Sequence, residues 1–150
     1  RPMIERLGLD AWVTLAPPLP YREALGEMLV AGGLLVFQGH TSNPAIPAKL
    51  YEYFRARRPI FGLVDGAGDT AALLRAEGVG TLVPIDDAQQ IQSGLSAFLG
   101  ELEAGTSPVM SAERARAFER GLRGADLAGL LDRITTPASS TSANKPVTDI

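Results

Sequence analysis

Two short apolar runs with a helical pattern between them constrain the fold of this chain most strongly. Residues 34–37 (LLVF) and 60–64 (IFGLV) are continuous apolar runs, which are typical of strands covered on both faces. A helix between two such strands predicts a βαβ unit, whose right-handed crossover makes the strands parallel. The loop at residues 38–46 then lies at the carboxyl end of the first strand, where open parallel sheets bind ligands.

The helix between these runs has recognisable ends and faces. Pro47 suits the first helical position because its missing N–H needs no partner there, and arginines near the far end favour the negative pole of the helix dipole. At 3.6 residues per turn, the face that packs on the sheet carries Leu50, Tyr51 and Phe54. The opposite face carries Lys49, Glu52 and Ala56.

Lys49 and Glu52 permit two interpretations. A lysine in the first turn lies at the wrong end for the helix dipole, unless an anion binds to the free N–H groups there. The alternative is a solvated ion pair three residues apart, worth about 0.2–0.5 kcal/mol. Spacing alone favours the solvated pair.

The amino-terminal part predicts two helices and one more strand. We expect a helix over residues 2–7 closed by Gly8, a strand over residues 12–15 (WVTL), and a proline-stiffened loop. Apolar residues at helical spacing then predict a helix from Tyr21 to near Gly32.

After the central unit, the turn DGAGD at residues 65–69 leads to a helix that Asp69 or Thr70 would cap and Gly78 would end. Residues 81–83 (TLV) predict the last of four strands in a mostly parallel sheet. Asp86 and Asp87 would cap the next helix, and Ser111 and Asp126 would begin two more. That next helix has an apolar stripe that we expect to be core: Ile91, Leu95, Phe98, Leu99 and Leu102. The Ser/Thr/Pro-rich residues 135–150 predict a flexible tail.

The composition excludes several classes of function. A length of 150 residues suits one domain, and a net charge of -3 gives no reason to expect nucleic acid or an anionic membrane as a partner. The chain has no cysteine, and no apolar run approaches the ~20 residues that span a bilayer. Its aspartates are explained by caps and turns, so we expect no metal site. A lone loop histidine such as His40 is more often solvated than functional.

The segment PAKLYEYFRARRPIFGLVDGAGDTAALLRAEGVGTLVPIDD resembles the donor-binding half of the GT-B glycosyltransferases, in particular glycosyltransferase family 4. Members carry a K-L-x-E-Y-x-x-x-x-[KR]-P-[IV] segment followed by G-x-T-A and G-x-G. The resemblance extends upstream and covers residues 4–103. It implies an α/β three-layer, Rossmann-like domain over residues 1–134, equivalent to the C-terminal part of a GT-B enzyme.

The resemblance also implies site residues. The carboxylate of Glu52 would bond the ribose of a nucleotide diphosphate sugar, and Lys49 would meet the diphosphate with first-turn groups of Ala48 and Leu50. The sugar would face a loop that contains His40, Thr41, Asn43 and Ile46. The base would contact main-chain groups around Leu19, Pro20 and Tyr21. Catalysis would thus depend on Lys49 and Glu52, with no metal.

Two departures from the family are visible. Pro44 occupies the position of the other glutamate of the E-x7-E pair, and the family's early arginine and lysine have no counterpart. The expected partners are the sugar nucleotide, a missing N-terminal domain of the same enzyme, and a second copy through exposed sheet edges. The expected location is cytoplasmic, with any contact to the inner membrane face made by the missing part. A non-catalytic α/β binding or oligomerisation module is the alternative.

Overall fold

The computed structural model describes residues 1–135, apart from the side chains of Arg120 and Arg123, and contains one three-stranded sheet. The strands are β1 (Leu34–Gln38), β2 (Ile60–Val64) and β3 (Thr81–Val83), in the order β1-β2-β3. Both pairings are parallel, with Leu34 opposite Ile60 and Phe61 opposite Thr81. The parallel βαβ unit is therefore confirmed, and the fold is α/β.

Seven α-helices accompany the sheet within the described residues. They are α1 (Pro2–Arg6), α2 (Tyr21–Val30), α3 (Ala48–Ala56), α4 (Asp69–Ala76), α5 (Ala88–Ala104), α6 (Ala112–Arg116) and α7 (Arg120–Thr135). Thr135 ends α7, and the rest of the predicted flexible tail, residues 136–150, lies outside the described residues.

One face of the sheet is fully covered by helices. Leu34 and Val36 of β1 join Ile60 and Val64 of β2 in a core that α3, α4 and α6 complete. Leu50 and Phe54 are buried there as predicted, but the third buried residue of α3 is Tyr53 rather than Tyr51. The hydroxyl of Tyr53 donates to the main-chain oxygen of Leu35 at 3.1 Å. Tyr51 is half-buried, with its ring centroid 5.8 Å from that of Phe118.

Among the described helices, α5 is the one that covers the opposite face. Phe98 of α5 packs against Phe61, Leu63 and Val83, with ring centroids of Phe61 and Phe98 5.3 Å apart. On β1 the same face stays open, so that Leu35 and Phe37 are 47% and 61% exposed. The prediction that the whole stripe of α5 is core is therefore wrong. Leu95 and Leu99 are exposed because α5 packs over β2 and β3, not over β1.

The predicted strand at residues 12–15 is wrong. The segment turns instead, with the N–H groups of Trp12 and Val13 both donating to the oxygen of Leu9 at 2.9 Å. A strand needs a neighbour for its main-chain groups, and none of the strands in the described part of the chain lies beside this segment. Trp12 is 85% exposed as a result.

Several predicted helix ends are confirmed and others shift. Asp87 caps α5 by accepting from Gln90 N–H at 2.9 Å, and Ser111 caps α6 in the same way. Pro47 is the N-cap of α3 rather than its first helical residue. Gly68, without a side-chain bond, precedes α4, so neither Asp69 nor Thr70 caps that helix. The last helix begins at Arg120, not Asp126.

The helix α7 presents its apolar side to solvent. Leu127, Leu130, Leu131 and Ile134 are exposed along it. Within residues 1–135, no helix combines the length and the apolar character needed to cross a bilayer.

Candidate functional site

Gln38, the last residue of β1, shapes the loop at the carboxyl edge of the sheet. Its side-chain amide is buried and donates to the main-chain oxygens of Ser42, at 2.6 Å, and Ala45. Its carbonyl oxygen accepts from the hydroxyl of Thr70 at 2.9 Å. A buried amide with all these partners fixes the loop between β1 and α3, including the short 3₁₀ turn His40–Ser42, against the start of α4.

The side chain of His40 extends from this loop to the two neighbouring loops at the same edge of the sheet. Its Nδ1 lies 2.7 Å from Oδ2 of Asp65, which follows β2, and its Nε2 lies 3.3 Å from Oδ2 of Asp86, which follows β3. Asn43 donates to the same oxygen of Asp65 at 2.6 Å. One imidazole therefore links the loops that follow all three strands of the sheet.

These contacts shift two pKa values in opposite directions. The hydrogen bond to Asp65, and then that to Asp86, raise the pKa of His40 above its ordinary value of 6.5. The pKa of Asp65 is held well below its ordinary value of 3.8, first by the Asn43 amide and then by the N–H of Ala67 and the His40 ring. Asp65 is therefore an anion across the neutral range, and His40 carries its proton to higher pH than a free histidine.

Glu52 meets Tyr21 on the other side of the start of α3. The hydroxyl of Tyr21 donates to Oε1 of Glu52 at 2.8 Å, although the two residues are 31 positions apart in the chain. Beside this pair, a hollow of about 170 Å³ lies between α2 and α3. Its lining is apolar apart from the Tyr21, Glu52 and Arg55 groups: Tyr21, Leu25, Met28, Leu29, Glu52, Arg55 and Ala56.

Lys49 and the first turn of α3 lie between these two regions along the chain. The side chain of Lys49 is exposed. Leu50 donates its N–H to the oxygen of Pro47 at 2.9 Å and buries its side chain in the core, so it presents neither group to a ligand. Ala48 and Lys49 precede it, and the N–H groups at this position of a helix lack partners within the helix.

The remaining predicted site residues lie at the edges of the site. Thr41, Ala48 and Leu19 are exposed, and Ile46 is half-buried against the core. A shallow hollow of about 330 Å³ lies beside the start of α3, lined by Phe37, Gln38, Gly39, Ser42, Ala45 and Pro47. The residues that the sequence predicted for one site thus lie in three separate places: Tyr21 with Glu52, the first turn of α3, and His40 with Asn43.

Sequence reasoning missed the groups that hold the site together. Gln38, Asp65 and Asp86 were not among the predicted site residues, yet they position the loop and its histidine. A polar residue that ends an otherwise apolar strand, as Gln38 does, is the signal that would have found the first of them.

The site offers hydrogen-bond donors, one lysine and several carboxylates. Within residues 1–135, no three His, Cys, Asp or Glu side chains are arranged to hold a metal ion. Neither family models, nor curated proteins, nor solved structures give a match to this chain.

Proposed function

We propose that this chain is the donor-binding domain of a glycosyltransferase of the GT-B type, with a Rossmann-like three-layer arrangement. Its ligand would be a nucleotide diphosphate sugar, bound across the start of α3. The carboxyl ends of parallel strands are the usual ligand position in α/β sheets, and β1, β2 and β3 all end at this edge. The acceptor and the groups nearest to it would belong to another domain of the same enzyme.

The contact between Tyr21 and Glu52 carries this proposal. The resemblance implied that the loop before α2 meets the base and that Glu52 meets the ribose, which requires the two to be neighbours. They lie 2.8 Å apart, hydroxyl to carboxylate oxygen. A carboxylate is a natural acceptor for the vicinal hydroxyls of a ribose, and the apolar hollow beside it suits the flat face of a base.

The diphosphate would lie one turn of α3 away from the ribose. Lys49 and Glu52 are three positions apart, which places them about 4.5 Å apart along the helix axis. The N–H groups of Ala48 and Lys49 and the Lys49 ammonium would bind the phosphate oxygens, as helix N-termini bind anions. As the bond to the sugar breaks, the same groups would stabilise the charge that develops on the leaving diphosphate, without a metal and with retention at the sugar.

The sugar would extend from the diphosphate toward the loop that carries His40. Gln38 and Thr70 hold this loop rigid through buried hydrogen bonds, so its polar groups have fixed positions. Thr41 and Ser42 are exposed along it and offer hydroxyls to the sugar. Pro44 cannot supply the carboxylate that the family has at that position, so the sugar contacts here would differ from those of the family.

Calorimetric titration with UDP, GDP, ADP and dTDP, each with and without an attached hexose, tests the proposal. We expect one of these nucleotides to bind, and Glu52→Gln and Lys49→Ala each to weaken its binding at least tenfold, or about 1.4 kcal/mol. Matched controls are Glu27→Gln on α2 and Arg116→Ala on α6, both exposed and outside the hollow beside Tyr21.

The outcome has two clear alternatives. If no nucleotide releases or absorbs heat with the parent chain, the donor-domain proposal is wrong. If the control variants lose as much affinity as Glu52→Gln and Lys49→Ala, binding depends on net charge and not on this site. Circular dichroism of each variant shows whether the fold is retained.

A non-catalytic oligomerisation module is the second candidate, because β1 exposes apolar side chains on an edge strand. Leu35 and Phe37 lie together on the open part of the sheet, and exposed apolar edges favour association between chains. Sedimentation equilibrium separates this function from nucleotide binding. A dimer that Phe37→Lys converts to a monomer, in a chain that binds no nucleotide, would support the module.

A further inference from the structure

We propose that His40 is a pH-dependent latch at the carboxyl edge of the sheet. When its ring is protonated it holds the loops after β2 and β3 together, and when the ring is neutral it releases the loop that carries Asp86. This property goes beyond nucleotide binding and does not depend on it.

The geometry of the latch is a histidine between two carboxylates from different loops. The Nδ1 atom of His40 lies 2.7 Å from Asp65, and the Nε2 atom lies 3.3 Å from Asp86. His40 itself belongs to the loop after β1. Asp65 is held independently, because Asn43 and the N–H of Ala67 also donate to its carboxylate. The contact with Asp65 is therefore anchored, and that with Asp86 is the movable one.

The number of protons on the His40 ring explains why its contact with Asp86 depends on pH. An ionised carboxylate only accepts hydrogen bonds, so both ring nitrogens must donate to satisfy both contacts. Only the protonated imidazole has two N–H groups. A neutral ring keeps one proton, and the shorter bond to the anchored Asp65 retains it. The Nε2 atom then directs a lone pair at Asp86, and the two acceptors repel each other.

The loop that is released forms one wall of a hollow. A cavity of about 230 Å³ lies between the loops after β2 and β3, and its lining includes Gly66, Arg75 and Pro84. Arg75 holds the near wall by donating to the oxygen of Gly66 at 2.6 Å. The far wall at Pro84 is two residues from Asp86, and its oxygen accepts a long bond of 3.4 Å from the N–H of Asp87. Loss of the His40 contact should therefore loosen that wall more than the near one.

The charged groups around His40 define the pH window. Within the part of the chain that the structure describes, the carboxylates acting on the ring are Asp65 and Asp86. Asp87 is turned away, because its carboxylate accepts from Gln90. A raised histidine pKa gives stability that is complete below its ordinary 6.5 and is lost as the pH rises through the folded value. The lowered pKa of Asp65 gives stability that is complete above its ordinary 3.8 and is lost as the pH falls through the folded value. The latch is therefore fully closed between pH 3.8 and pH 6.5, and it opens as the pH rises through the folded pKa of His40.

Nuclear magnetic resonance of the intact chain tests the latch directly, since His40 is the only histidine among 150 residues. Its Cε1–H signal therefore reports one titration without ambiguity. We expect a midpoint above 6.5, with the amide signals of residues 85–87 shifting at the same midpoint and their protection against hydrogen exchange, relative to the intrinsic rate at each pH, falling above it. A midpoint at or below 6.5 would overturn the proposal. Amide signals of residues 85–87 that do not change as His40 titrates would also overturn it.

Variants separate the latch from a general effect of pH. Asp86→Asn replaces the repelling acceptor with an amide that can donate to a neutral ring, so the response of residues 85–87 should disappear and the His40 midpoint should fall. Asp65→Asn should lower the midpoint further, because the Asp65 contact is the larger cause of the raised pKa. Asp69→Asn on α4 is the matched control, an exposed aspartate outside these contacts, and should leave the midpoint unchanged. Equal shifts in all three variants would contradict the proposal.

Discussion

The two faces of the sheet differ in how completely they are covered. Among residues 1–135, thirteen buried residues form one core cluster on the face toward α3 and α4, which reaches α6 through Ala115 and continues to Phe118. On the face toward α5, the buried cluster of the described residues consists of Phe61, Leu63, Val83 and Phe98, and the β1 side is open. The same three strands thus have one closed and one partly open face.

This difference explains where the candidate site lies. Its loop, the start of α3 and Thr70 of α4 lie at the carboxyl edge of the closed face, where the buried side chains of Gln38, Leu50 and Thr70 anchor them. A site needs side chains held by packing and by hydrogen bonds, and the closed face supplies both. The open face offers apolar surface without such restraint.

The largest effect is expected from Phe54→Ala on the closed face. Phe54 is fully buried, and its ring centroid lies 5.0 Å from that of Phe118. Its removal leaves a cavity, so we expect the free energy of unfolding to fall by about 3–5 kcal/mol. Urea unfolding followed by circular dichroism measures this loss. A loss below about 1 kcal/mol would mean that the two faces do not differ in packing as described.

Gly94→Ala should have the next largest effect, on the other face of the sheet, where α5 covers β2 and β3. A Cβ at this position of α5 would collide with Cγ1 of Val83, because the helix and β3 approach closely there. We expect a loss of about 1–3 kcal/mol from this overpacking. Gly100→Ala in the same helix is the matched control, since an added Cβ meets open space there. The control should gain roughly 0.5–1 kcal/mol from reduced unfolded-state freedom, and a similar loss in both would contradict the close approach.

Thr70→Val tests the hydrogen bonds at the carboxyl edge. The substitution keeps the shape but removes the donor to Gln38, leaving a buried carbonyl oxygen unsatisfied. The expected loss is roughly 1–3 kcal/mol of unfolding free energy. Thr81→Val serves as the control, because Thr81 is half-buried and its bond to Glu101 is long, at 3.4 Å. Equal stability of Thr70→Val and the parent would show that Gln38 finds another donor.

Phe37→Ala should have the smallest effect on stability and sharpens the contrast with Phe54→Ala. The ring is mostly exposed on the open face, so its loss should change the free energy of unfolding by no more than about 0.5 kcal/mol at low protein concentration. The measurement is the same urea titration. A loss as large as that of Phe54→Ala would mean that the open face of β1 is covered in solution.

Much of the fold follows from local patterns in the sequence. The apolar runs of β1 and β2, the helical spacing in α2 and α3, and the caps at Asp87 and Ser111 are local signals, and the structure confirms them. The errors arise where a distant partner decides the outcome. Residues 12–15 have the composition of a strand, but no described strand lies beside them. The apolar stripe of α5 is wider than the part of the sheet that α5 covers, so some of its leucines stay exposed.

The site was less predictable than the fold for the same reason. Tyr21 and Glu52 are 31 positions apart, so no local pattern in the sequence predicts the hydrogen bond between them. The contacts of His40 with Asp65 and Asp86 depend on the order of strands in the sheet, which brings three loops to one edge. Periodicity within one segment carries no information about such contacts between segments.

The hydroxyl of Tyr53 is hydrogen-bonded to the outer edge of β1, which is the edge that does not pair with β2. Leu34 donates across the ladder to Pro59 at 2.8 Å, so the main-chain groups of Leu35 and Phe37 point the other way. Tyr53 already occupies the oxygen of Leu35. An incoming strand would have to displace this phenol before its own N–H could bond to the oxygen of Leu35, so the Tyr53 hydroxyl opposes extension of the sheet at this edge.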